Sequence, residues 1–485
     1  MMKRRKKIWL LFFVLVLVFL IIIPLTVGLF NYFKSTPENI TYESDVYSTD
    51  SVEFLYDLTY ADNDGAETHE QEIFDEVFGM IDEAEEFLLI DMFLFNDDYD
   101  HGDPELDFPP LSQELSDALV DKKAENPDMD IIFITDPINS FYKTYKTPQI
   151  ENMTDAGISV HQTDLAPLRD SNPLYSSFYR AYLQWFGSSS AEWLPNALRP
   201  EGPEVNVRSY FSMLNFKANH RKTVMHEDSA LVTSGNPHDA SFYHSNIAFK
   251  VQGPILEDLM LSERAVLDMA GVDTSVFDGF EVNTEASGDG DYDVQLVTEK
   301  KVKDQMIDMI ENTAAGDTIQ TGIFYISDRD VINALKDALN RDVEVQMVLD
   351  VNQDAFGNEK IGIPNRPVAA ELMDNENAPE IRWYESHGEQ YHAKFMMVES
   401  DDEVTITGGS SNFTRRNIED YNLETNLVIT GPSDSELMTE ITGYYDRIWN
   451  NEDGIYTADY EAYSEDVWWK NILYRIQEDT GLSTF

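Results

Sequence analysis

The chain carries one pattern of helices and strands twice, and this repeat constrains its fold more than any other feature. The first copy places apolar strand-like runs at residues 87–95, 130–136 and 158–162, each after a helical stretch. The second copy places them at residues 318–326, 343–350 and 381–384, again each after a helical stretch. Short apolar runs that alternate with amphipathic helices predict an α/β fold with a mostly buried, parallel or mixed sheet.

Both copies also end alike, with a strand-like segment and a Gly-Pro turn at residues 246–254 and 424–432. A repeat of this size predicts two similar halves and not a solenoid, and 485 residues leave room for both. The polar stretch 281–291 is the predicted boundary. We therefore divide the chain into a basic N-terminus with a membrane anchor (1–38), a first half (39–280), a second half (281–460) and a C-terminal tail (461–485).

The N-terminus has the composition of a membrane anchor. A basic cluster at residues 3–7 precedes the uncharged stretch 8–30, which as a helix would extend about 34 Å and cross a hydrocarbon layer of about 30 Å. Basic residues favour the cytoplasmic side, which places the rest of the chain outside the cell membrane. A cleaved signal peptide is the alternative, but it would have a shorter apolar region and small residues at the cut. The bulky residues after Gly28 favour an uncleaved, single-pass anchor.

Composition excludes several functional classes. The chain has 90 Asp and Glu against 34 Lys and Arg, a net charge of -56, so nucleic acid is disfavoured as a partner. We interpret the charge mainly as a solvated surface, with a specific cationic partner as the alternative. Because the chain has no cysteine, disulfides, thiol nucleophiles and cysteine-based zinc sites are excluded.

One aromatic-rich segment, residues 169–205, has no counterpart in the second half. Its aromatic residues are Tyr175, Phe178, Tyr179, Tyr182, Trp185, Phe186 and Trp193. Such a segment can line a lipid cleft or lie at a bilayer interface. The alternative is an inserted helix that packs on the core.

The residues that predict chemistry are two His-x-Lys elements at matching positions of the halves. Each is followed by a Glu and then an Asn; the two sets are His220, Lys222, Glu227 and Asn236, and His392, Lys394, Glu399 and Asn412. In a strand, residues i and i+2 face the same side, so each His and Lys point together. If the halves pack face to face, two imidazoles, two ammonium groups and two amides converge.

This set meets the needs of phosphodiester cleavage. One neutral imidazole can attack phosphorus to give a phosphohistidine, and the other can give a proton to the leaving alkoxide. Lys222, Lys394, Asn236, Asn412 and Ser410 can stabilise the phosphoryl oxygens. Neither a metal nor another cofactor is required.

Residues 214–222 and 408–417 resemble the signature segments of the phospholipase D superfamily, whose His-Lys-Asp group includes bacterial cardiolipin synthases. The resemblance covers about residues 51–450. It implies a duplicated αβαβα sandwich with two pseudo-symmetric halves, one active site between them, and ping-pong chemistry through a phosphohistidine. The family's motif Asp is replaced by Glu227 and Glu399, and the chain has one predicted membrane segment where cardiolipin synthases usually have two.

The resemblance leaves the roles of the two histidines open. Glu424 matches the family carboxylate that orients a motif histidine, and Asn246 stands at the equivalent place in the first half. The family pattern makes His220 the nucleophile and His392 the acid. If Glu424 backs the histidine of its own half, however, His392 is the stronger base.

These features predict a phospholipase D-type phosphodiesterase or phosphatidyltransferase that acts on membrane phospholipids by hydrolysis or transphosphatidylation, as a cardiolipin synthase does. A membrane-anchored nuclease of the same superfamily and a non-catalytic binding module that retains the fold are the alternatives. The expected partners are a phospholipid substrate and, through the N-terminal helix, the membrane. The headgroup, the acceptor and the oligomeric state stay open.

Overall fold

A computed structural model describes residues 2–99, 101, 106–187, 192–199, 202–285, 290–355, 358–483 and 485. The helices are α1 (Met2–Leu17), α2 (Ile23–Phe33), α3 (Ile73–Glu83), α4 (Leu111–Glu125), α5 (Pro148–Asp155), α6 (Pro173–Ala181), α7 (Val207–Met213), α8 (Ile255–Met269), α9 (Lys300–Glu311), α10 (Arg329–Leu339), α11 (Asn365–Met373), α12 (Arg415–Ile418), α13 (Glu436–Asn450) and α14 (Trp468–Thr480). A π-helical turn, Val18–Ile22, joins α1 to α2.

The strands before the middle of the chain are β1 (Tyr47–Thr49), β2 (Val52–Ala61), β3 (Glu67–Glu70), β4 (Phe87–Met92), β5 (Asp130–Thr135), β6 (Ser159–Gln162), β7 (Lys222–Met225), β8 (Ala230–Thr233) and β9 (Asn246–Val251). The later strands are β10 (Tyr292–Thr298), β11 (Thr318–Ile323), β12 (Glu344–Asp350), β13 (Asp354–Ala355), β14 (Asn358–Glu359), β15 (Glu380–Tyr384), β16 (Lys394–Glu399), β17 (Glu403–Gly409), β18 (Thr425–Pro432) and β19 (Thr457–Asp459).

Two mixed sheets with the same internal order form the body of the protein. The first has the order β3-β2-β9-β8-β7-β4-β5-β6, and the second β1-β10-β18-β17-β16-β11-β12-β15-β19. In each, the three strands of the alternating helix-strand pattern pair in parallel, and the strands that follow the motif pair antiparallel. Strands β2, β9, β8, β7, β4, β5 and β6 therefore correspond to β10, β18, β17, β16, β11, β12 and β15. The predicted α/β fold with two pseudo-symmetric halves is confirmed.

Helices cover the outer faces of the sheets, and the inner faces meet in a shared core. In the second half, α10 buries Val331, Ile332, Leu335, Ala338 and Leu339, which recur at the spacing of one helical face. The shared core joins side chains of both sheets, such as Val232 and Phe249 in the first and Phe395 and Leu427 in the second. The two sheets thus pack face to face, as the site prediction requires.

Gly408 lets the two sheets approach closely. It lies in β17, and a Cβ atom built there would be 2.9 Å from both Ile247 Cδ1 and Phe249 Cε2 of β9. Real Cβ atoms do not approach carbon so closely without displacement of a neighbour. The glycine therefore sets the spacing between the sheets beside the site.

Some elements cross the predicted domain bounds. Strand β1 precedes all strands of the first sheet along the chain, but it pairs with β10 of the second sheet. In the predicted C-terminal tail, Tyr474 of α14 is buried in the core of the second half. The bounds 39–280 and 281–460 remain a prediction, and part of the predicted boundary stretch, residues 286–289, lies outside the described residues.

Within the described residues, one helical segment is long and apolar enough to cross a membrane. It runs from Arg5 to Phe33, is strongly apolar, and little of it is buried by the rest of the chain. The orientation inferred from the basic cluster, with the catalytic halves outside the cell, stays a prediction.

Candidate active site

The two His-x-Lys elements meet at a cavity of about 330 Å³ between the halves. His220, Asn236, His392 and Asn412 all line it. The side chains of Lys222 and Lys394 are fully buried, and each Nζ donates to the backbone oxygen of the histidine in its own motif. The structure thus brings together the six motif residues that the sequence singled out, three from each half.

Backbone hydrogen bonds between the halves hold each histidine in place. The segment at Asn219 bridges in parallel to Leu423, and His220 N donates to Leu423 O at 2.9 Å. The segment at Tyr391 bridges in parallel to Ser245, and His392 N donates to Ser245 O at 2.8 Å. Each motif is therefore joined to the chain that enters the last inner strand of the other half.

These bridges cross the histidine partners between the halves. His220 Nδ1 lies 2.9 Å from Glu424 Oε2, and His392 Nδ1 lies 3.1 Å from Asn246 Oδ1. The expectation that Glu424 backs His392 of its own half is therefore wrong. The physical reason is the parallel bridge, which delivers residue 424 behind the first motif and residue 246 behind the second.

Glu424 is held in a buried set of donors. Its Oε2 accepts a hydrogen bond from Ser410 Oγ at 2.6 Å, and its Oε1 accepts one from Asn417 Nδ2. Burial raises the pKa of Glu424 to about 8, while Lys222 and these donors act in the opposite direction. With Nδ1 engaged by an oxygen acceptor, the Nε2 atom of His220 is left as the free ring nitrogen.

The two lysines occupy equivalent surroundings. Lys222 Nζ donates to His220 O at 2.8 Å, and Lys394 Nζ donates to His392 O at 2.6 Å. Burial lowers the pKa of Lys222 to about 7 and holds the pKa of Lys394 well below its usual range. An anion that binds in the cavity adds a negative charge near both lysines, and this charge favours their protonated, ammonium forms.

Burial also sets the protonation of both imidazoles. It lowers the pKa of His220 well below 6.5, and the nearby charges of Lys222 and Lys394 lower it further. The pKa of His392 is lowered in the same direction, first by burial and then by Lys394. Both rings are therefore neutral in the empty cavity at neutral pH, which is the form a nucleophile needs.

A phenylalanine packs against each His-Lys pair, and the sequence reasoning missed both. The Phe93 ring lies 4.7 Å from the His220 ring and 5.2 Å from Lys222 Nζ. The Phe324 ring lies 5.1 Å from the His392 ring and 5.5 Å from Lys394 Nζ. The repeat could have revealed them, because each phenylalanine directly follows the first parallel strand of its half.

Two buried aspartates, also missed, anchor the backbone just before each histidine. Asp136 Oδ2 accepts from Asn219 N at 2.7 Å, and Asp350 Oδ2 accepts from Tyr391 N at 2.8 Å. Burial raises the pKa of Asp136 to about 7 and that of Asp350 to about 6. Each ends or follows the second parallel strand of its half, which the repeat could have revealed.

The motif amides differ in how they are held. Asn236 Oδ1 accepts from Leu94 N at 3.3 Å. Asn412 Oδ1 is buried and has no hydrogen-bond partner among the residues that the structure describes. A side-chain amide at the cavity wall can bind a phosphoryl oxygen by donating from its Nδ2.

Glu227 and Glu399 do not reach the cavity, so their predicted role in motif support is wrong. Glu227 lies just beyond β7 and Glu399 is the last residue of β16, each about 16 Å along the chain from its motif lysine at about 3.3 Å per residue. Glu227 instead accepts hydrogen bonds from the backbone N–H groups of Glu85 and Glu86, at 2.7 and 3.2 Å. Glu399 is partly exposed on β16.

One group of potential metal ligands occurs within the described part of the chain. Ligand atoms of His226, Glu227 and Asp228 lie within 4.8 Å of one another at the β7–β8 turn. This turn is outside the cavity, and both oxygens of Glu227 already accept backbone hydrogen bonds. The group therefore contributes nothing to the site.

Comparison with known proteins agrees with this architecture. Residues 306–449 match the family model described as cardiolipin synthase, phospholipase D-like domain. No curated protein matches the chain by sequence.

Three solved structures resemble the fold to different degrees. Phosphatidylserine synthase of Haemophilus influenzae Rd KW20 aligns over 95% of this chain and 98% of its own, at 10% identity and a TM-score of 0.54. Polyphosphate kinase of Porphyromonas gingivalis aligns over 84% of this chain and 48% of its own, at 12% identity and a TM-score of 0.45. Nuc of Salmonella typhimurium, a phospholipase D family member, aligns over 34% of this chain and 97% of its own, at 18% identity and a TM-score of 0.26.

Of these three similarities, the first is close enough to support the fold, and it extends over both halves. The family match covers most of the second half, including His392, Lys394 and Asn412. By this match, residues 306–449 form a phospholipase D-like domain, and the two-sheet architecture of the whole chain resembles that of the phosphatidylserine synthase.

Proposed function

We propose that the protein is a membrane-bound phosphodiesterase or phosphatidyltransferase that acts on phospholipids, with a phosphohistidine intermediate on His220. One observation carries the proposal: His220, backed by a carboxylate, and His392, backed by an amide, face the same cavity. Two imidazoles with unequal partners suit one nucleophile and one acid-base group.

In the first step, Nε2 of neutral His220 attacks the phosphorus atom and forms a P–N bond. The bound phosphate anion favours the imidazolium form of His392. The bond from phosphorus to the headgroup oxygen breaks, and protonated His392 gives its Nε2 proton to that oxygen. The positive charge that grows on the His220 ring favours the carboxylate form of Glu424, which accepts a hydrogen bond from Nδ1 and stabilises that charge. The products are a free headgroup alcohol and a phosphatidyl group on His220.

In the second step, the acceptor loses its proton to Nε2 of His392 and its oxygen attacks phosphorus. The P–N bond breaks and His220 returns to its neutral form. Water as acceptor gives hydrolysis, and an alcohol gives transphosphatidylation. In both steps the charge on the phosphoryl oxygens is stabilised by Asn236 and Asn412, which line the cavity, and by the ammonium groups of the buried Lys222 and Lys394.

The surroundings of the cavity favour a phospholipid as the phosphodiester. The N-terminal helix would hold the site at the membrane and raise the effective concentration of lipid there. The net charge of -56 opposes a polyanion such as DNA. A single phosphate group that enters the cavity as part of a membrane lipid is repelled less than a polyanion would be. The acidic surface of the protein is distant from the cavity, and salt screens charges over such distances.

Turnover of defined substrates tests this function. The full chain in vesicles should release headgroup from phosphatidylglycerol or phosphatidylcholine, and single-stranded DNA should stay intact. His220→Ala and His392→Ala should each lower lipid turnover by about 10³-fold or more, as loss of a covalent or acid catalyst does.

His161→Asn is the matched control, because His161 lies in the edge strand β6. Its lipid turnover should equal that of the wild type. DNA cleavage without lipid turnover would support the nuclease alternative. Near-normal activity of either cavity variant would refute the shared site.

A further inference from the structure

The aromatic-rich insertion packs against the N-terminal helix. Helix α6 lies beside α2, where Ser177 occupies the space that a side chain at Gly28 would fill. Further along, the Tyr182 ring is 4.6 Å from the Phe19 ring, and its hydroxyl donates to Phe19 O. At the other end, Asp170 N donates to Asn31 O at 3.3 Å. The two helices therefore run antiparallel from the level of Asn31 to that of Phe19.

These contacts fix how far the insertion extends along the anchor. Phe19 is the midpoint of the uncharged stretch 8–30. From Phe19 to Asn31 the helix rises about 18 Å, at about 1.5 Å per residue. If the anchor crosses a hydrocarbon layer of about 30 Å, α6 runs beside the half of the anchor nearer the catalytic halves, and the Tyr182 side chain that follows α6 reaches towards the bilayer centre.

The outer surface formed by the two helices is apolar. Leu174 and Phe178 of α6 are 66% and 44% exposed, and Leu25 and Leu29 of α2 are 55% and 51% exposed. Between the helices lies a groove of about 510 Å³, lined mainly by apolar side chains from Leu20 to Phe33 and from Pro173 to Phe178. Apolar area this large favours hydrocarbon over water.

The polar side chains of α6 are bonded within the protein. Ser176 Oγ donates to Asn215 Oδ1 at 2.6 Å. Arg180 makes two hydrogen bonds to Asp170, with Nε to Oδ2 at 2.6 Å, and Asp170 also pairs with Lys217 at 2.6 Å. Polar groups near hydrocarbon need internal partners of this kind.

We propose that residues 173–186 are a second intramembrane element that enters one leaflet without crossing the bilayer, with lipid acyl chains filling its groove against α2. The leaflet is the one next to the catalytic halves. The inference rests on the membrane anchor of the proposed function and does not depend on the reaction. This proposal explains why the insertion occurs in the first half, which is next to the anchor, and has no counterpart in the second half.

Spin labels on single cysteines test the proposal directly, because the native chain has no cysteine to remove. Leu174→Cys and Phe178→Cys place labels at the groove, Leu25→Cys reports the anchor, and Asn333→Cys on the exposed surface of α10 reports water. Each labelled full chain is reconstituted in phosphatidylcholine–phosphatidylglycerol vesicles. Power saturation then compares collisions with oxygen, which concentrates in hydrocarbon, and with a water-soluble nickel chelate.

Labels at 174, 178 and 25 should all favour oxygen, and the label at 333 should favour nickel. Residue 178 should lie deeper than residue 174 by up to about 6 Å, because α6 descends by about 1.5 Å per residue. Nickel preference at both 174 and 178 with oxygen preference at 25 would overturn the inference and leave the anchor standing. Nickel preference at 25 would overturn both, and a reversed depth order would overturn the descent of α6.

Discussion

Glu424 Oε2 lies 2.9 Å from Nδ1 of His220, a residue of the other half. The corresponding partner of His392 is the neutral amide of Asn246, at 3.1 Å. Both a carboxylate and an amide oxygen can fix the tautomer of the ring. A carboxylate also stabilises an imidazolium, and a neutral amide stabilises it less. This difference assigns His220 as nucleophile in the proposed mechanism.

Trapping of the intermediate should distinguish the two histidines. With an aryl phosphodiester, whose leaving group needs no proton, His392→Ala should still form a phosphohistidine and then hydrolyse it slowly. His220→Ala should form none. Mass spectrometry of the quenched protein should place the adduct on residue 220, and an adduct on residue 392 of the wild type would reverse the assignment.

Glu424→Gln should lower turnover by roughly 10²-fold or more, because an amide fixes the tautomer of His220 less well and stabilises its imidazolium less. Steady-state kinetics with a phospholipid should show the loss in kcat more than in KM, since the charge develops in the transition state. Glu399→Gln is the matched control, because Glu399 is on the partly exposed end of β16. Equal losses in the two variants would contradict the role given to Glu424.

The activity should depend on pH in the direction set by Lys222. Burial lowers the pKa of this lysine to about 7, so its ammonium form is complete below pH 7 and is lost as pH rises through that value. The pKa of His220 is lowered well below 6.5, so the neutral nucleophile is lost at more acidic pH. A profile of kcat/KM should be bell-shaped, with its alkaline limb near pH 7. An alkaline limb at pH 10 would show that Lys222 keeps an ordinary pKa.

Arg221→Ala should destabilise the fold strongly. The guanidinium is fully buried, and its Nη2 atom lies 2.8 Å from Glu299 Oε1 of the second half. Loss of one partner leaves the other buried and unpaired, which costs about 3–5 kcal/mol. Denaturant unfolding in detergent would measure the loss. Lys300→Ala removes an exposed pair with Asp304 at 3.0 Å and should cost about 0–1 kcal/mol.

Gly408→Ala should loosen the contact between the sheets. The new methyl group would meet Ile247 and Phe249 at 2.9 Å, and such overpacking costs about 1–3 kcal/mol. Gly443 lies on an exposed position of α13 with no atom within 4 Å of an added Cβ. Gly443→Ala should therefore stabilise by about 1 kcal/mol, since alanine favours a helix. Thermal unfolding would measure both effects as shifts of the melting temperature. Shifts in the same direction for the two variants would contradict this packing.

The repeat made the halves and their motif residues predictable. The alternation of apolar runs and helices predicted the parallel strands β4, β5 and β6 and their counterparts, because buried strands and amphipathic helices differ in period. The spacing i, i+2 placed His220 with Lys222 and His392 with Lys394. These features depend on local sequence, so they can be predicted without knowledge of how the two halves pack together.

The crossed partners could not be predicted, because they depend on which half each connecting segment bridges. Position in the repeat showed that Glu424 and Asn246 correspond, and the parallel bridges at Leu423 and Ser245 decided where each side chain goes. The errors on Glu227 and Glu399 have a different cause. A family pattern was carried over to residues that strand length places far from the cavity.

The parallel bridges also bear on how the two halves could diverge. In a symmetric pair of identical copies, any residue placed behind one imidazole would stand behind both, so the two rings would share one basicity. Joined in a single polypeptide, the copies can hold a carboxylate at 424 and an amide at 246. Fusion of two equal subunits is thus the condition under which such a site can divide attack and proton transfer between its histidines.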